Sequence, residues 1–212
     1  MRNLMPQLFD KHSVERGRRV SQRERNLKGL NDECYSYGEI DYETFATIFI
    51  KISIAYGVYP NGQFFDLGCG VGTLVYTAAL MGTFNKSVGV DNLESLVERG
   101  TKRIRRWDKF KEKLPRKQRD TFIDFIQDDI TEATFWSDAT FIFLHWTAFN
   151  IEQRESISNI MNLCKEGTIV VSVTHLVQNS AFMVLKEDKC EASWGTVNYY
   201  VQEKLTLAKK SL

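Results

Sequence analysis

A glycine-rich segment carries the clearest chemical signal in the chain. The run from Phe64 to Gly72 contains glycine at every second position from Gly68 onward, and Asp66 stands two residues before the first of these glycines. Glycine lets the backbone turn sharply and lets a bound molecule approach the main chain without a Cβ in the way. The segment therefore predicts a ligand-binding turn between a strand and a helix.

Acidic residues also close two later predicted strands. Asp91 ends the first of them, and Asp128-Asp129-Ile130 follows the other. Ligands of open parallel sheets bind beyond the carboxyl ends of the strands, where a carboxylate can accept both ribose hydroxyls of an adenosyl group. We expect Asp91 in that role, with Asp129 and Ile130 flanking the adenine. Asp128 or Asp129 acting as a helix cap is the alternative.

The spacing of the glycines separates two classes of nucleotide-binding protein. A dinucleotide-binding loop has its third glycine one residue later, where this chain has Thr73. The observed spacing, with the acid before it, resembles motif I of class I methyltransferases that use S-adenosylmethionine (SAM). We therefore predict SAM as the cofactor, held in part by Gly68, Gly70 and Gly72, and a dehydrogenase is the alternative.

Composition limits the class of protein. With 212 residues, 43% of them hydrophobic, the chain suits one globular domain, and a formal net charge of +1 does not suggest a polyanion-binding protein by bulk charge. The four cysteines are scattered and have no histidine at ligand spacing, so we expect reduced thiols and no metal site. No apolar run approaches the length of a membrane span or of a secretory signal, so we expect no membrane contact.

Alternating strand and helix patterns predict the architecture. Residues 1–34 form a basic arm, flexible or partly helical, and 35–212 the methyltransferase domain. The predicted fold is an α/β, Rossmann-like, seven-stranded class I methyltransferase sheet, mostly parallel, with an antiparallel C-terminal hairpin. After a strand ending at Asp66, the predicted strands are 87–91, 122–127, 140–144, 168–173, 182–186 and 196–204. The predicted helices are about 42–56, 73–81, 93–113 and 152–164.

Three further segments resemble one family. Tyr35–Glu39, Thr140–Phe149 and the pair Ser193-Trp194 with Val197–Tyr200 occur in this order around the glycine loop. In this they resemble the Dot-one (disruptor of telomeric silencing) family, the histone lysine methyltransferases that lack a SET domain. The resemblance covers roughly residues 35–205. It implies a nuclear enzyme acting on a lysine of the globular surface of histone H3 in the nucleosome.

The resemblance also implies roles for individual residues. Tyr37 and Glu39 would belong to the loop that closes over SAM, and Tyr199 would line the channel for the substrate lysine. Structural alternatives exist: Glu39 could interact with a helix dipole, and one residue of the pair Tyr199 and Tyr200 faces the core in any case. The cofactor contacts implied are Asp66, Gly68, Asp91, Asp129 and Ile130.

One motif departs from the family. Where the family usually carries Asn-Asn-Phe-Ala-Phe, this chain has His145-Trp146-Thr147-Ala148-Phe149. His145 could accept a proton or anchor a hydrogen bond, or it could be structural. We predict that His145 and an aromatic channel of Trp146, Phe149 and Tyr199 form the catalytic centre, with Trp146 filling a gap as the alternative. The departure also admits a non-histone or small-molecule acceptor, or a SAM-binding chromatin subunit without catalysis.

Two basic segments stand out against the neutral whole. They span about 2–28 and 99–119, and helical spacing would put Arg99, Arg103 and Arg106 on one face. We expect non-specific contact with nucleosomal DNA through them. A solvated helix face is the alternative.

Overall fold

A computed structural model describes residues 4–9, 12–30 and 37–206. Its strands are β1 (Gly62–Leu67), β2 (Phe84–Asp91), β3 (Phe122–Gln127), β4 (Phe141–His145), β5 (Ile169–Val173), β6 (Phe182–Ala192) and β7 (Gly195–Lys204). Its α-helices are α1 (Met5–Leu8), α2 (Ser13–Lys28), α3 (Tyr42–Tyr56), α4 (Thr73–Met81), α5 (Glu94–Lys111), α6 (Arg116–Arg119) and α7 (Ile151–Ile160). Short 3₁₀ helices cover Phe135–Asp138 and Met161–Leu163.

The seven strands form one sheet in the order β3-β2-β1-β4-β5-β7-β6. Strands β1 to β5 are parallel, whereas β7 runs antiparallel to both β5 and β6. This arrangement confirms the predicted fold class. The strand order reverses between β1 and β4, and ligands of such sheets bind in the crevice at this point.

The central strands are buried on both faces, as their continuous apolar sequences indicate. Phe64 and Phe65 of β1 point to opposite core clusters and are almost fully buried. On one face α3 packs its aromatic rings edge-on against the sheet, with Phe45 and Phe143 centred 5.4 Å apart. Helices α4 and α5 extend that face, and α7 covers the other.

Several boundaries differ from the predicted ones. The hairpin strands β6 and β7 are longer than expected and are joined at the turn Ser193-Trp194. Polar residues at the exposed edge of β6 hid its length, because an edge strand need not be apolar. Helix α7 ends at Ile160 and continues as a 3₁₀ helix.

The N-terminal segment contains α1 and α2, which pack against the body of the domain. Met5 and Leu8 are buried in the cluster formed by α4 and α5. The expected division between residues 34 and 35 falls in 31–36, outside the described residues, so it stays a prediction. None of the described helices has the length and apolar character needed to cross a membrane.

Candidate functional site

The glycine loop folds over the end of β2. Gly68, Gly70 and Gly72 all have positive φ, at +84°, +54° and +85°. The backbone N–H groups of Gly68 and Cys69 both donate to the Val90 carbonyl, at 2.9 and 3.0 Å. A side chain at Gly68 or Gly70 would therefore be strained, which explains the glycine pattern.

Gly72 is required for packing and does not line the cavity described below. It is the residue before α4, and a Cβ built on it would lie 2.3 Å from the ring of Phe125. Its glycine lets α4 and β3 approach each other. The predicted cofactor contact at Gly72 thus finds a packing explanation here, whereas Gly68 and Gly70 face the cavity.

Asp91 joins the glycine loop to the next helix. Its carboxylate accepts hydrogen bonds from the backbone N–H of Gly70 at 2.9 Å and of Leu93 at 3.0 Å. Burial raises the pKa of Asp91 to about 6, although the backbone hydrogen bonds oppose this. Asp91 therefore fixes the glycine loop on one side of the crevice and the start of α5 on the other. This is the crevice in which the sequence predicts that Asp91 binds ribose.

A cavity of about 290 Å³ opens beyond the carboxyl ends of the central strands. It brings together eight of the sequence-predicted residues, from five separate segments of the chain. They are Tyr37, Gly68, Gly70, Asp91, Asp129, Ile130, His145 and Phe149. Asp129 also accepts the N–H of Thr131 at 2.8 Å, so its carboxylate caps a turn at the rim.

A smaller pocket adjoins this cavity and is lined by Glu39 and Asp66. Glu39 accepts hydrogen bonds from the Tyr37 hydroxyl and, at 3.0 Å, from the Thr73 hydroxyl. Removal from water raises the pKa of Glu39 to about 7. Burial, together with the charges of Glu39 and Asp91, raises the pKa of Asp66 well above its usual range. Such a concentration of carboxyl groups away from water suits a cationic ligand.

Glu39 is held by the hairpin rather than by a helix dipole. Its backbone N–H donates to the Ser193 hydroxyl at 3.2 Å, and its carbonyl accepts from the Ser193 N–H at 3.0 Å. Helix α3 begins later and is capped by Asp41. Next to these hydrogen bonds Gly38 packs closely against Trp194, since a Cβ built on it would lie 2.6 Å from the ring. The Tyr-Gly-Glu and Ser-Trp elements are thus two sides of one contact.

His145 ends β4 and lines both the cavity and the smaller pocket. Its ring lies against Trp194, with centroids 4.7 Å apart and planes inclined at 34°. Burial lowers the pKa of His145 to about 4, so the imidazole is neutral near pH 7. Its Nε2 is buried with no hydrogen-bond partner among the described residues. A buried polar atom without a partner is costly, so a bound group that satisfies it is favoured.

Two of the three aromatic residues of the predicted channel lie in the core and not at the cavity. Trp146 is fully buried in the cluster under α7, and its Nε1 donates to the His175 carbonyl at 2.8 Å. Tyr199 is only 2% exposed, packs on the α3 side of the sheet and donates to Asp188 at 3.3 Å. The described residues that line the cavity include Phe149 but neither Trp146 nor Tyr199.

Trp194 takes the place of these two rings at the cavity. Tyr199 points inward because side chains alternate along β7, and its neighbours on that face are core residues. Trp194 stands in the two-residue turn of the hairpin, 40% exposed, so no periodic pattern marks it. The Ser193-Trp194 pair was the available signal in the sequence.

The described residues contain no cluster of three or more histidine, cysteine or acidic side chains suited to a metal ion. Cys69, Cys164 and Cys190 are free thiols, and Cys34 lies outside the described residues. The site therefore consists of a glycine loop, an acidic pocket and a histidine beside a tryptophan.

The family model of the histone methylation protein DOT1 matches residues 18–211. This range includes the glycine loop, the acidic pocket and the hairpin that carries Trp194. No curated protein sequence matches the chain significantly.

Solved methyltransferases share the fold. An RNA methyltransferase from Salinibacter ruber, crystallised with S-adenosyl-L-homocysteine (SAH), is 20% identical, with a TM-score of 0.55 over 78% of this chain and 95% of its own. The N-methyltransferase NodS from Bradyrhizobium japonicum, also with SAH, is 11% identical, with a TM-score of 0.58 over 90% of this chain and 97% of its own. A putative RNA methyltransferase from Pyrococcus horikoshii is 17% identical, with a TM-score of 0.57 over 90% of this chain and 98% of its own. At these identities the likeness concerns the fold.

Proposed function

Because the chain belongs to the family of the histone methylation protein DOT1 and is a SAM-dependent methyltransferase, we propose that it methylates a lysine of histone H3 within the nucleosome, in the nucleus. The acidic pocket of Glu39 and Asp66, opening beside His145 and Trp194, is the observation that carries the methyl-transfer half of this proposal. The match over residues 18–211 supports the choice of substrate.

The residues of the cavity fit the cofactor. Gly68 and Gly70 expose the backbone, and Asp91 offers a carboxylate for ribose hydroxyls. Glu39 and Asp66 offer carboxyl groups whose charged form a bound cation would favour. Bound SAM supplies an electrophilic methyl group on a positively charged sulfur. The carboxyl groups, when charged, stabilise the positive sulfur in a site that contains little water.

The acceptor side must hold a lysine amine in its neutral form. A free lysine has a pKa of about 10.4, so the amine is protonated in water and desolvation must favour its neutral form. Trp194 and Phe149 provide apolar walls that exclude water. His145, whose pKa is about 4, is too weak a base to retain the proton of an ammonium group. Its neutral ring is suited instead to accept an N–H hydrogen bond that orients the amine.

Affinity for SAM is expected to rise by up to roughly fourfold in all as the pH passes from about 6.5 to about 8, and to level off above that. The cation favours the charged carboxylate, and the pKa of Glu39, raised by burial to about 7, puts its ionisation in this window. Calorimetric titration with SAM across the window measures the effect. Glu39→Gln should bind SAM more weakly and with little pH dependence. An equally steep dependence in both proteins would contradict the assignment.

The basic segment 99–119 is less available to DNA than its sequence suggests. Arg103 turns inward, where Nη1 donates to the Val71 carbonyl at 3.2 Å and the guanidinium lies 4.5 Å from the Phe9 ring centre. Lys102 pairs with Glu98. Other cations of the segment are exposed and have no ion pair among the described residues, and we propose that these contact nucleosomal DNA. They include Arg105, Arg106, Lys109, Lys113 and Lys117.

A second acceptor class is favoured by one observation. His145 and Trp146 replace the two asparagines that the family usually has at this point, and His145 lines the acceptor side. A non-histone protein or a small amine is therefore the alternative acceptor. A SAM-binding chromatin subunit without catalysis is the further alternative.

Transfer of a tritiated methyl group from SAM to separate substrate pools distinguishes these functions. Nucleosomes, free histones and cell lysate are incubated in parallel with the wild-type chain. We expect label in histone H3 of nucleosomes above that in free histones. Label in another protein or in a small molecule supports the alternative acceptor, and SAM binding without transfer supports the non-catalytic role.

A further inference from the structure

Helix α2 forms part of the wall of the cofactor cavity. Its buried residues recur every three or four positions, which places them on one face: Ser13, Gly17, Ser21 and Glu24. Ser21 is fully buried and lines the cavity, and its hydroxyl has no hydrogen-bond partner among the described residues. A hydroxyl in this state at a cavity wall is suited to bind a polar group of the ligand.

The same face of α2 is joined to two other parts of the site. Gly17 packs against Tyr37, since a Cβ on it would lie 2.3 Å from the Tyr37 hydroxyl oxygen. Glu24 accepts the backbone N–H groups of Glu94 at 3.2 Å and Ser95 at 2.9 Å. A carboxylate at the N-terminus of α5 is favoured by the helix dipole. Movement of α2 would thus disturb Tyr37 and the turn after Asp91.

The outer face of α2 is rich in arginine. Arg18, Arg19 and Arg23 are exposed. They have no ion pair within the described residues, and Arg19 and Arg23 lie two residues from Ser21, on the opposite side of the helix. Arg18 lies at the border of the two faces, and Arg19 and Arg23, four residues apart, are neighbours on the outer one. Exposed arginine side chains match the phosphates of a nucleic-acid backbone. One helix therefore presents a cofactor-facing side and a polyanion-facing side.

We propose that α2 couples DNA to the cofactor: duplex DNA bound to its arginine face holds the helix closed and tightens the binding of SAM or SAH. This rests on the proposed action on nucleosomes. A helix that completes one site and contacts a second ligand links the two affinities, and the linkage is reciprocal. The enzyme would then retain its cofactor most strongly on its chromatin substrate.

Calorimetric titration with SAH, with and without a saturating duplex of about 20 base pairs at low ionic strength, tests the coupling. We expect SAH to bind at least about fivefold more tightly with the duplex, and the duplex to bind more tightly by the same factor with SAH. Amide exchange in α2 should slow when both ligands are present. Heparin replaces the duplex in a parallel titration.

Charge variants separate α2 from the rest of the basic surface. Replacing Arg18, Arg19 and Arg23 together with glutamine should leave SAH binding without DNA unchanged and should remove the tightening. The matched variant replaces Arg105, Arg106 and Lys109 of α5. It should weaken duplex binding yet keep the tightening once the duplex is saturating.

Unchanged SAH affinity at saturating duplex would overturn the coupling while leaving methyl transfer to nucleosomes intact. Equal tightening by heparin would overturn the assignment of the face to duplex DNA. If SAH binding tightens with the duplex but nucleosomes take up no label, the nucleosomal substrate is wrong and the coupling stands.

Discussion

Asp91→Ala is expected to weaken SAH binding by at least about 100-fold, since hydrogen bonds to a charged group contribute roughly 1.5–3 kcal/mol each. The carboxylate holds the N–H groups of Gly70 and Leu93, and it faces the cavity where ribose hydroxyls would bind. The substitution removes the support of the glycine loop and a ligand contact together. Calorimetric titration of the variant with SAH measures the loss.

Glu98→Ala is the matched control for Asp91→Ala. Glu98 is an exposed acid of α5 that pairs with Lys102 away from the cavity, so its loss should leave SAH affinity within about twofold. Thermal unfolding without ligand shows whether Asp91→Ala still folds. A folded Asp91→Ala protein with wild-type SAH affinity would refute the role given to this carboxylate.

His145→Leu is expected to lower turnover by about 10- to 100-fold, because the acceptor amine loses the hydrogen bond that orients it. The loss of that bond raises the activation free energy by about one or more kcal/mol. Leucine keeps the apolar contact with Trp194 but removes the unpartnered Nε2 that lines the cavity. SAH affinity should change by no more than about threefold, because the glycine loop and the carboxyl groups remain. Steady-state rates of methyl transfer, measured beside SAH titration, separate the two effects.

His145→Asn and Tyr199→Phe are the controls for this effect. Asparagine is the residue usual in the family at this position, and it should retain turnover because its amide can also accept an N–H bond. Tyr199→Phe should keep wild-type turnover, since Tyr199 lies in the core away from the cavity. Equal losses in His145→Leu and Tyr199→Phe would mean that the acceptor is bound elsewhere.

The glycine loop and the acids at the strand ends were predictable because their chemistry is local. Positive φ at Gly68 and Gly70 follows from a tight turn, and Asp91 stands where β2 must end. The parallel direction of β1 to β5 follows from their alternation with helices. These features need only the immediate sequence and the rules of parallel sheets.

Helix α2 and Trp194 were not predictable by the same means. The inward face of α2 carries serine, glycine and glutamate, so hydrophobic periodicity gives no signal even though the helix is packed. Trp194 stands in the turn of the hairpin, and the residue that it contacts, His145, lies far earlier in the chain. Arg103 was misjudged for a related reason, because a long cationic side chain can bury its stem and bond to carbonyls.

The identity of the labelled amino acid tests the central claim most directly. The wild-type chain is incubated with tritiated SAM and nucleosomes, the histones are hydrolysed, and the methylated amino acids are separated. The proposed function predicts that the label is recovered as methylated lysine from histone H3, with one SAH formed for each methyl group transferred. Label in another amino acid, or SAH binding with no labelled histone, would contradict it.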